Sequence, residues 1–128
     1  MPSQNNTGRQ YDKNHSVTVA ATVAVVANRF IAYDGGYATS AGRAKDSQGS
    51  SESDAAAGDA LSVVTGYSGL IEAGQAFNFG EYLKPGVDGV AMIGASNECC
   101  ARALGAAVGV GSIVEVEIIK HIHAAAIV

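Results

Sequence analysis

The chain has 128 residues, 48% of them hydrophobic, with a formal net charge of −4 and a sequence pI near 5.2. This length fits one domain. The acidic balance argues against nucleic-acid binding, which needs a basic surface. No segment reaches the roughly 18 consecutive apolar residues of a membrane helix, and the N-terminus lacks the plan of a signal peptide. We therefore expect neither a nucleic-acid nor a membrane partner.

Small side chains dominate the apolar part of the composition. There are 16 glycines, no Trp and only three Phe, and alanine supplies much of the hydrophobic share. Such residues bury little area each, and short strands leave edges that need covering. We therefore expect a thin core that is completed by self-association, with a homotrimer favoured and a dimer as the second choice.

The first sixteen residues are polar and are predicted to form a flexible N-terminal arm. They carry almost no large apolar side chains, so they cannot fold alone. Two interpretations stay open: a frayed terminus, or an extended arm that becomes ordered on a neighbouring subunit. In the second case the contact residues are Arg9, Tyr11, Lys13 and His15.

Residues 17–128 are predicted to form one β domain. A β-branched run over Val17–Val26 indicates a long or bent strand, and Arg29–Tyr33 indicates a second strand, ended by Asp34-Gly35-Gly36. Residues 44–58 are rich in Ser, Gly and charged residues with no hydrophobic period. This low-complexity segment is predicted to be a surface loop.

Short strands bounded by glycine follow, as is typical of an all-β domain. Leu61–Thr65 and Leu70–Ala73 are predicted to be two strands joined by a turn at Gly66–Gly69. Tyr82–Gly86 is predicted to be a turn with Pro85-Gly86 as its signal. Val90–Ile93 is predicted to be another short strand. Residues 99–108 could form a helix by propensity, but we favour a strand.

The clearest strand is Ile113–Ile122, whose side chains alternate between two faces. One face should belong to the core through Val114, Val116, Ile118 and Ile122. The other face should make polar contacts at a subunit boundary through Glu115, Glu117, His121 and His123.

Catalytic and cofactor motifs are incomplete. Gly66-Tyr67-Ser68-Gly69 lacks the G-x-S-x-G spacing of a nucleophile elbow, and Gly105–Gly111 lacks the pattern of a nucleotide-binding loop. The acids and histidines of the last strand suit zinc by type. However, Glu117 and His121 lie about 13 Å apart along an extended strand. We therefore predict no enzymatic activity, no cofactor and no metal.

The order of small-residue turns and short strands is also informative. It runs from Ala55 to Gly66, repeats over Gly69–Gly74, and closes on Arg102-Ala103-Leu104, Gly109, Gly111 and Val114-Glu115-Val116. Over roughly residues 17–119 this order resembles the small phage capsid decoration (cement) proteins, a family once catalogued as a domain of unknown function. The shared pattern consists of glycine, alanine and valine.

The resemblance implies a small all-β barrel or sandwich that is made in the host cytoplasm and lies on the capsid exterior of the virion. Its partner would be the major capsid protein of the expanded icosahedral shell, and it would stabilise contacts between those subunits. The alternative is a carbohydrate-binding β module on a virion or cell surface. In that case Tyr33, Tyr37, Tyr67 and Tyr82 would form an aromatic platform.

Overall fold

The computed structural model describes residues 13–39 and 43–122. Within these ranges the secondary structure consists of eight strands and two 3-10 turns, Arg43–Lys45 and Val87–Gly89. The strands are β1 Lys13–Ala20, β2 Phe30–Ala32, β3 Ser47–Ser51, β4 Ala60–Glu72, β5 Tyr82–Pro85, β6 Ala91–Ile93, β7 Cys99–Ala103 and β8 Ile113–Ile122. No helix of this part of the chain is long and apolar enough to span a membrane.

The strands form one sheet that is nearly closed into a barrel. Their order is β2-β3-β4-β8-β7-β5-β6, with β1 also pairing to β4. The edge strand β6 approaches β4 where Ala91, at the start of β6, bridges Ala73, just after β4. The nearly closed part of the sheet is therefore formed by β4, β8, β7, β5 and β6. The predicted all-β, single-domain fold is thus confirmed.

Strand β4 is the central element of the sheet. Its first half pairs with β1 and β3, and its second half pairs with β8. The sequence predicted a turn at Gly66–Gly69, which is wrong, because the chain stays in strand conformation for 13 residues. The strand is irregular at Tyr67, which has a φ of 30°, beside register shifts in its pairing with β1.

The core is divided into two clusters of buried side chains. The larger cluster lies inside the barrel and includes Phe30, Ile71, Leu83 and Val116. The smaller one surrounds Leu61 and receives side chains from β1. Most other members of the larger cluster are Ala, Cys or Val, which agrees with the small side chains of the composition.

The low-complexity segment contains the largest departure from the sequence analysis. We predicted residues 44–58 to be a surface loop, but Ser47–Ser51 form β3, and four of its five residues are buried. The strand pairs with β2 on one side and β4 on the other. Ser50 Oγ donates to the Leu70 carbonyl over 2.7 Å, and Ser51 Oγ donates to the Val26 carbonyl over 2.8 Å. The sequence has no alternation of apolar and polar residues that would predict this strand, because its burial depends on hydrogen-bonded hydroxyl groups.

The boundaries of two other elements also differ from the prediction. Residues 13–16, assigned to the arm, form the first half of β1, and that strand ends at Ala20 rather than Val26. Residues 1–12 lie outside the described residues. Tyr82–Pro85, predicted as a turn, is strand β5. It tolerates Pro85 at its last residue because proline is excluded mainly from strand interiors.

Four strands agree with the sequence analysis. The predicted strands at Arg29–Tyr33, Val90–Ile93 and residues 99–108 contain β2, β6 and β7. The last strand has the predicted bounds, Ile113–Ile122.

Candidate functional site

Two of the polar residues that the sequence analysis singled out lie in strands that pair with the middle of β4. Backbone pairing places His15 of β1 opposite Gly66 and Glu117 of β8 opposite Ser68. His15 is exposed, and its Nδ1 atom lies 2.8 Å from Thr65 Oγ1. One residue from the predicted arm and one from the last strand thus pair with positions of β4 that are two residues apart.

The remaining candidates are only partly accounted for. Lys13 lies in β1 and His121 lies in β8. Arg9, Tyr11 and His123 fall outside the described residues. The contact role of these five residues therefore stays a prediction.

The two acids of the last strand differ in exposure. Glu115 lies opposite Leu70 and is only 2% exposed. Its side chain therefore has almost no surface to offer a partner. Glu117 is half-buried and lies opposite Arg102 of β7. Of the pair, Glu117 is the residue that a neighbouring molecule can reach.

The opposite face of β8 is buried only along part of its length. Val114 and Val116 belong to the core, as predicted. Ile122 was predicted to be buried as well, but it is 43% exposed. The physical reason is that the pairing of β8 with β4 ends at Glu117, so the last residues of β8 extend past that neighbour.

A cleft of about 340 Å³ opens where β3 begins and β8 ends. Its lining combines one exposed aromatic ring with hydroxyl, amide, ammonium and aliphatic groups: Tyr33, Ser47, Gln48, Thr65, Ile118, Ile119 and Lys120. This volume lies near the lower end of the roughly 300–1,000 Å³ that small-molecule sites occupy.

The tyrosines proposed as an aromatic platform have different environments. The Tyr37 hydroxyl accepts a hydrogen bond from the Val26 amide over 3.1 Å. The Tyr82 ring lies 4.9 Å from the Arg102 guanidinium. Tyr33 is 61% exposed and Tyr67 is 37% exposed. Tyr33 is therefore the ring most accessible to a ligand.

The reactive side chains of the described residues do not assemble into a chemical site. No group of three or more His, Cys, Asp or Glu side chains in these ranges could hold a metal ion. Cys99 and Cys100 are both buried thiols, and burial raises the pKa of both, most strongly that of Cys100. A raised pKa keeps a thiol protonated and therefore unreactive.

A second surface, which the sequence analysis missed, lies at the opposite end of β8. The loops 73–81 and 104–112 meet there, because Glu72 pairs with Ile113 and Tyr82 pairs with Arg102. Five apolar side chains at this end are exposed to solvent: Phe79 by 68%, Ile93 by 37%, Val108 by 94%, Val110 by 80% and Ile113 by 44%. We call these five residues the loop-end patch.

The loop-end patch had a weak signal in the sequence. Residues 103–114 contain no charged side chain. An uncharged, valine-containing segment suggests burial in the core, and the sequence predicts a strand over residues 99–108 and no nucleotide-binding loop at Gly105–Gly111. Its exposure follows from the position of the loop at the rim of the barrel, which the sequence does not specify.

Comparison with known proteins supports the fold. No protein-family model and no curated protein matches the chain. Among solved structures, the chain is similar to the N base of the head fiber protein gp8.5 of bacteriophage phi29, with a TM-score of 0.68 and 21% identity. The similarity covers 84% of this chain and 96% of that chain. The two molecules share a fold over nearly the whole of the base.

Proposed function

We propose that the chain is a phage head-associated structural protein that binds the exterior of the expanded capsid and stabilises contacts between major capsid protein subunits. The observation that supports this most is the shared fold with the base of a phage head fiber, which extends over 96% of that base. The pattern of glycine, alanine and valine noted in the sequence is a second, independent support.

The mechanism requires binding alone. A protein that binds the assembled shell, and not its separated subunits, stabilises the shell by its binding free energy. Many copies on one particle make the total large even when each contact is weak. No catalytic step, cofactor or metal is needed for this role.

We further propose that the bound form is a homo-oligomer, with a trimer favoured over a dimer. The support is the small-residue core and the exposed edges of the short strands. Native mass measurement of protein released from particles tests this. A monomer that also occupies the shell singly would contradict it.

The main test uses virions of the phage whose genome encodes the chain. Purified particles should contain the protein in many copies, and antibodies against it should label the intact head. Particles that lack the protein should release their DNA at a lower temperature, and adding purified protein back should restore the original value. Absence of the chain from washed particles, or no change in heat resistance, would contradict the proposal.

A second candidate function is carbohydrate binding, which one observation favours. The cleft beside β3 brings the exposed Tyr33 ring close to the Gln48 amide and the Lys120 ammonium, and sugars are bound by such combinations of stacking and hydrogen bonds. Saturable binding to a glycan array, lost in Tyr33→Ala, would support this candidate. A Tyr67→Ala variant provides the control for a partly exposed ring outside the cleft.

A further inference from the structure

We propose that the loop-end patch, formed by Phe79, Ile93, Val108, Val110 and Ile113, is the surface that docks on the capsid shell. This inference rests on the proposed function and assigns it to one end of the barrel. It differs from the interface expected from the sequence, which used the polar face of β8.

The exposure of the patch is unusual for apolar side chains. Val108 is 94% exposed and Val110 is 80% exposed, although burial of one such side chain stabilises a protein by about 1.5–3 kcal/mol. Single exposed apolar residues are ordinary, but a group of them on one surface marks an interaction site. Here five lie at the same end of the strands.

Backbone hydrogen bonds hold the two loops of the patch in place. Phe77 and Ala107 exchange two hydrogen bonds, of 3.2 and 2.9 Å. The Gly111 amide donates to the Ala73 carbonyl over 2.9 Å, and Gln75 Oε1 accepts from the Ile93 amide over 2.8 Å. A surface held in this way loses little conformational entropy when it binds.

The charge distribution indicates the chemistry of the partner. Residues 73–80 and 103–114 carry no charged side chain, and the charged residues that border them along the chain are Glu72, Glu81, Arg102 and Glu115. An apolar centre with a charged rim is the ordinary plan of a protein–protein interface. The partner surface should therefore be an apolar, uncharged area of a folded protein.

The size of the patch favours the shell over a second copy of the chain. Five side chains expose a few hundred Å², within the ~300–600 Å² of the largest apolar patch on an ordinary monomer. A stable protein pair needs about 800 Å² on each partner, so the patch alone is too small to hold a dimer. A weak contact repeated across a lattice of capsid subunits is held by multivalency instead.

The test uses the full chain and expanded capsids, lacking the protein, from the phage that encodes it. The variant combines Val108→Asp and Val110→Asp, and binding is measured by cosedimentation. We expect binding at least ~100-fold weaker, since two apolar contacts are lost and two charges enter an apolar interface. The melting temperature should stay unchanged, because both side chains are exposed in the isolated chain.

Two matched controls sharpen the result. Val23→Asp places the same charge on another exposed valine, 47% accessible, at the far end of β4, and should bind as the original chain does. Val108→Ile with Val110→Ile keeps the surface apolar and should also retain binding.

The alternative outcomes are distinguishable. If the original chain binds capsids and the double Asp variant binds equally well, the docking surface is wrong while the proposed function stands. If the original chain does not bind, both fail. If the original chain is an oligomer in solution and the double Asp variant is a monomer, the patch joins copies of the chain, and the inference is overturned.

Discussion

Strand β3 and the loop 104–112 are opposite in composition and opposite in exposure. Strand β3 reads Ser-Gln-Gly-Ser-Ser and is almost wholly buried. The loop contains Leu104, Val108 and Val110, and both valines are among the most exposed large apolar side chains of the described residues. Hydropathy alone would predict β3 to be exposed and the loop 104–112 to be buried.

The difference shows what burial requires. Strand β3 is buried because it pairs on both edges and its serine hydroxyls bond to backbone carbonyls, so few polar groups lose their partners. The loop is exposed because its ends are fixed by β7 and β8, which direct it away from the barrel. Backbone partners and strand geometry, more than hydropathy, decide these two positions.

The largest effect that would test this comparison is expected at Gly49. A Cβ added there would overlap the Val64 carbonyl oxygen, so Gly49→Ala must move β3 away from β4. We expect a loss of about 3 kcal/mol or more in unfolding free energy, at or above the upper end for overpacked sites. Urea denaturation measures it.

Gly109→Ala is the control from the other region. A Cβ at Gly109 would meet no atom within 4 Å, and its φ is not positive. Its unfolding free energy should change by less than about 0.5 kcal/mol. Equal effects at the two glycines would show that β3 does not pack against β4 as described.

A smaller effect is expected from the hydroxyl of Ser50. Ser50→Ala removes the hydroxyl that donates to the Leu70 carbonyl. The Leu70 carbonyl oxygen, which is partly buried, then loses that hydrogen bond. The expected cost is about 1–2 kcal/mol, typical of a buried polar group that loses its partner. Ser53→Ala, at an exposed position just after β3, should be nearly neutral. A neutral Ser50→Ala would show that the hydroxyl is not needed for burial of the strand.

The fold was predictable from sequence wherever apolar side chains alternate. Strand β8 was predicted with the observed bounds, since Val114 and Val116 alternate with charged residues. Strand β3 was not predictable, because its burial depends on hydrogen bonds from Ser50 and Ser51 to carbonyls more than 19 residues away. Such long-range partners leave no local pattern.

The candidate site likewise has a part that the sequence predicts and a part that it does not. The alternation of side chains along a strand predicts that Glu115 and Glu117 share one face of β8. It does not predict that only Glu117 is accessible to solvent, because accessibility depends on the packing around the strand. The loop-end patch was missed for a related reason. Strand pairing between β4, β7 and β8 brings separate loops together, and the sequence does not state those pairings.

A pH-dependent effect is expected where the chain enters β3. A hydrogen bond from Lys45 Nζ, 2.8 Å from Asp34 Oδ2, and a second one from the Gly36 amide lower the pKa of Asp34 below its ordinary value of 3.8. A lowered folded-state pKa contributes stability above the unfolded pKa, and this is lost as pH falls through the folded one. Stability should therefore decrease below about pH 4.

Lys45→Gln isolates that contribution. Both side chains are partly exposed, so the ion pair should contribute only about 0.5 kcal/mol at neutral pH. Urea denaturation of the original chain and the variant should differ at pH 7, and the difference should shrink as the pH falls below about 4. A difference that does not shrink on acidification would assign the effect to packing of the Lys45 side chain instead.

The smallest effect is expected in the loop itself. Val110→Ser removes an apolar side chain that is 80% exposed, so almost no buried area is lost and the unfolding free energy should change by less than about 0.5 kcal/mol. Val64→Ser is the matched change at a position 1% exposed beside Ser50, where about 2 kcal/mol or more should be lost. A large loss at Val110 would mean that the loop packs against the chain in solution. The patch would then be part of the core and could not serve as a docking surface.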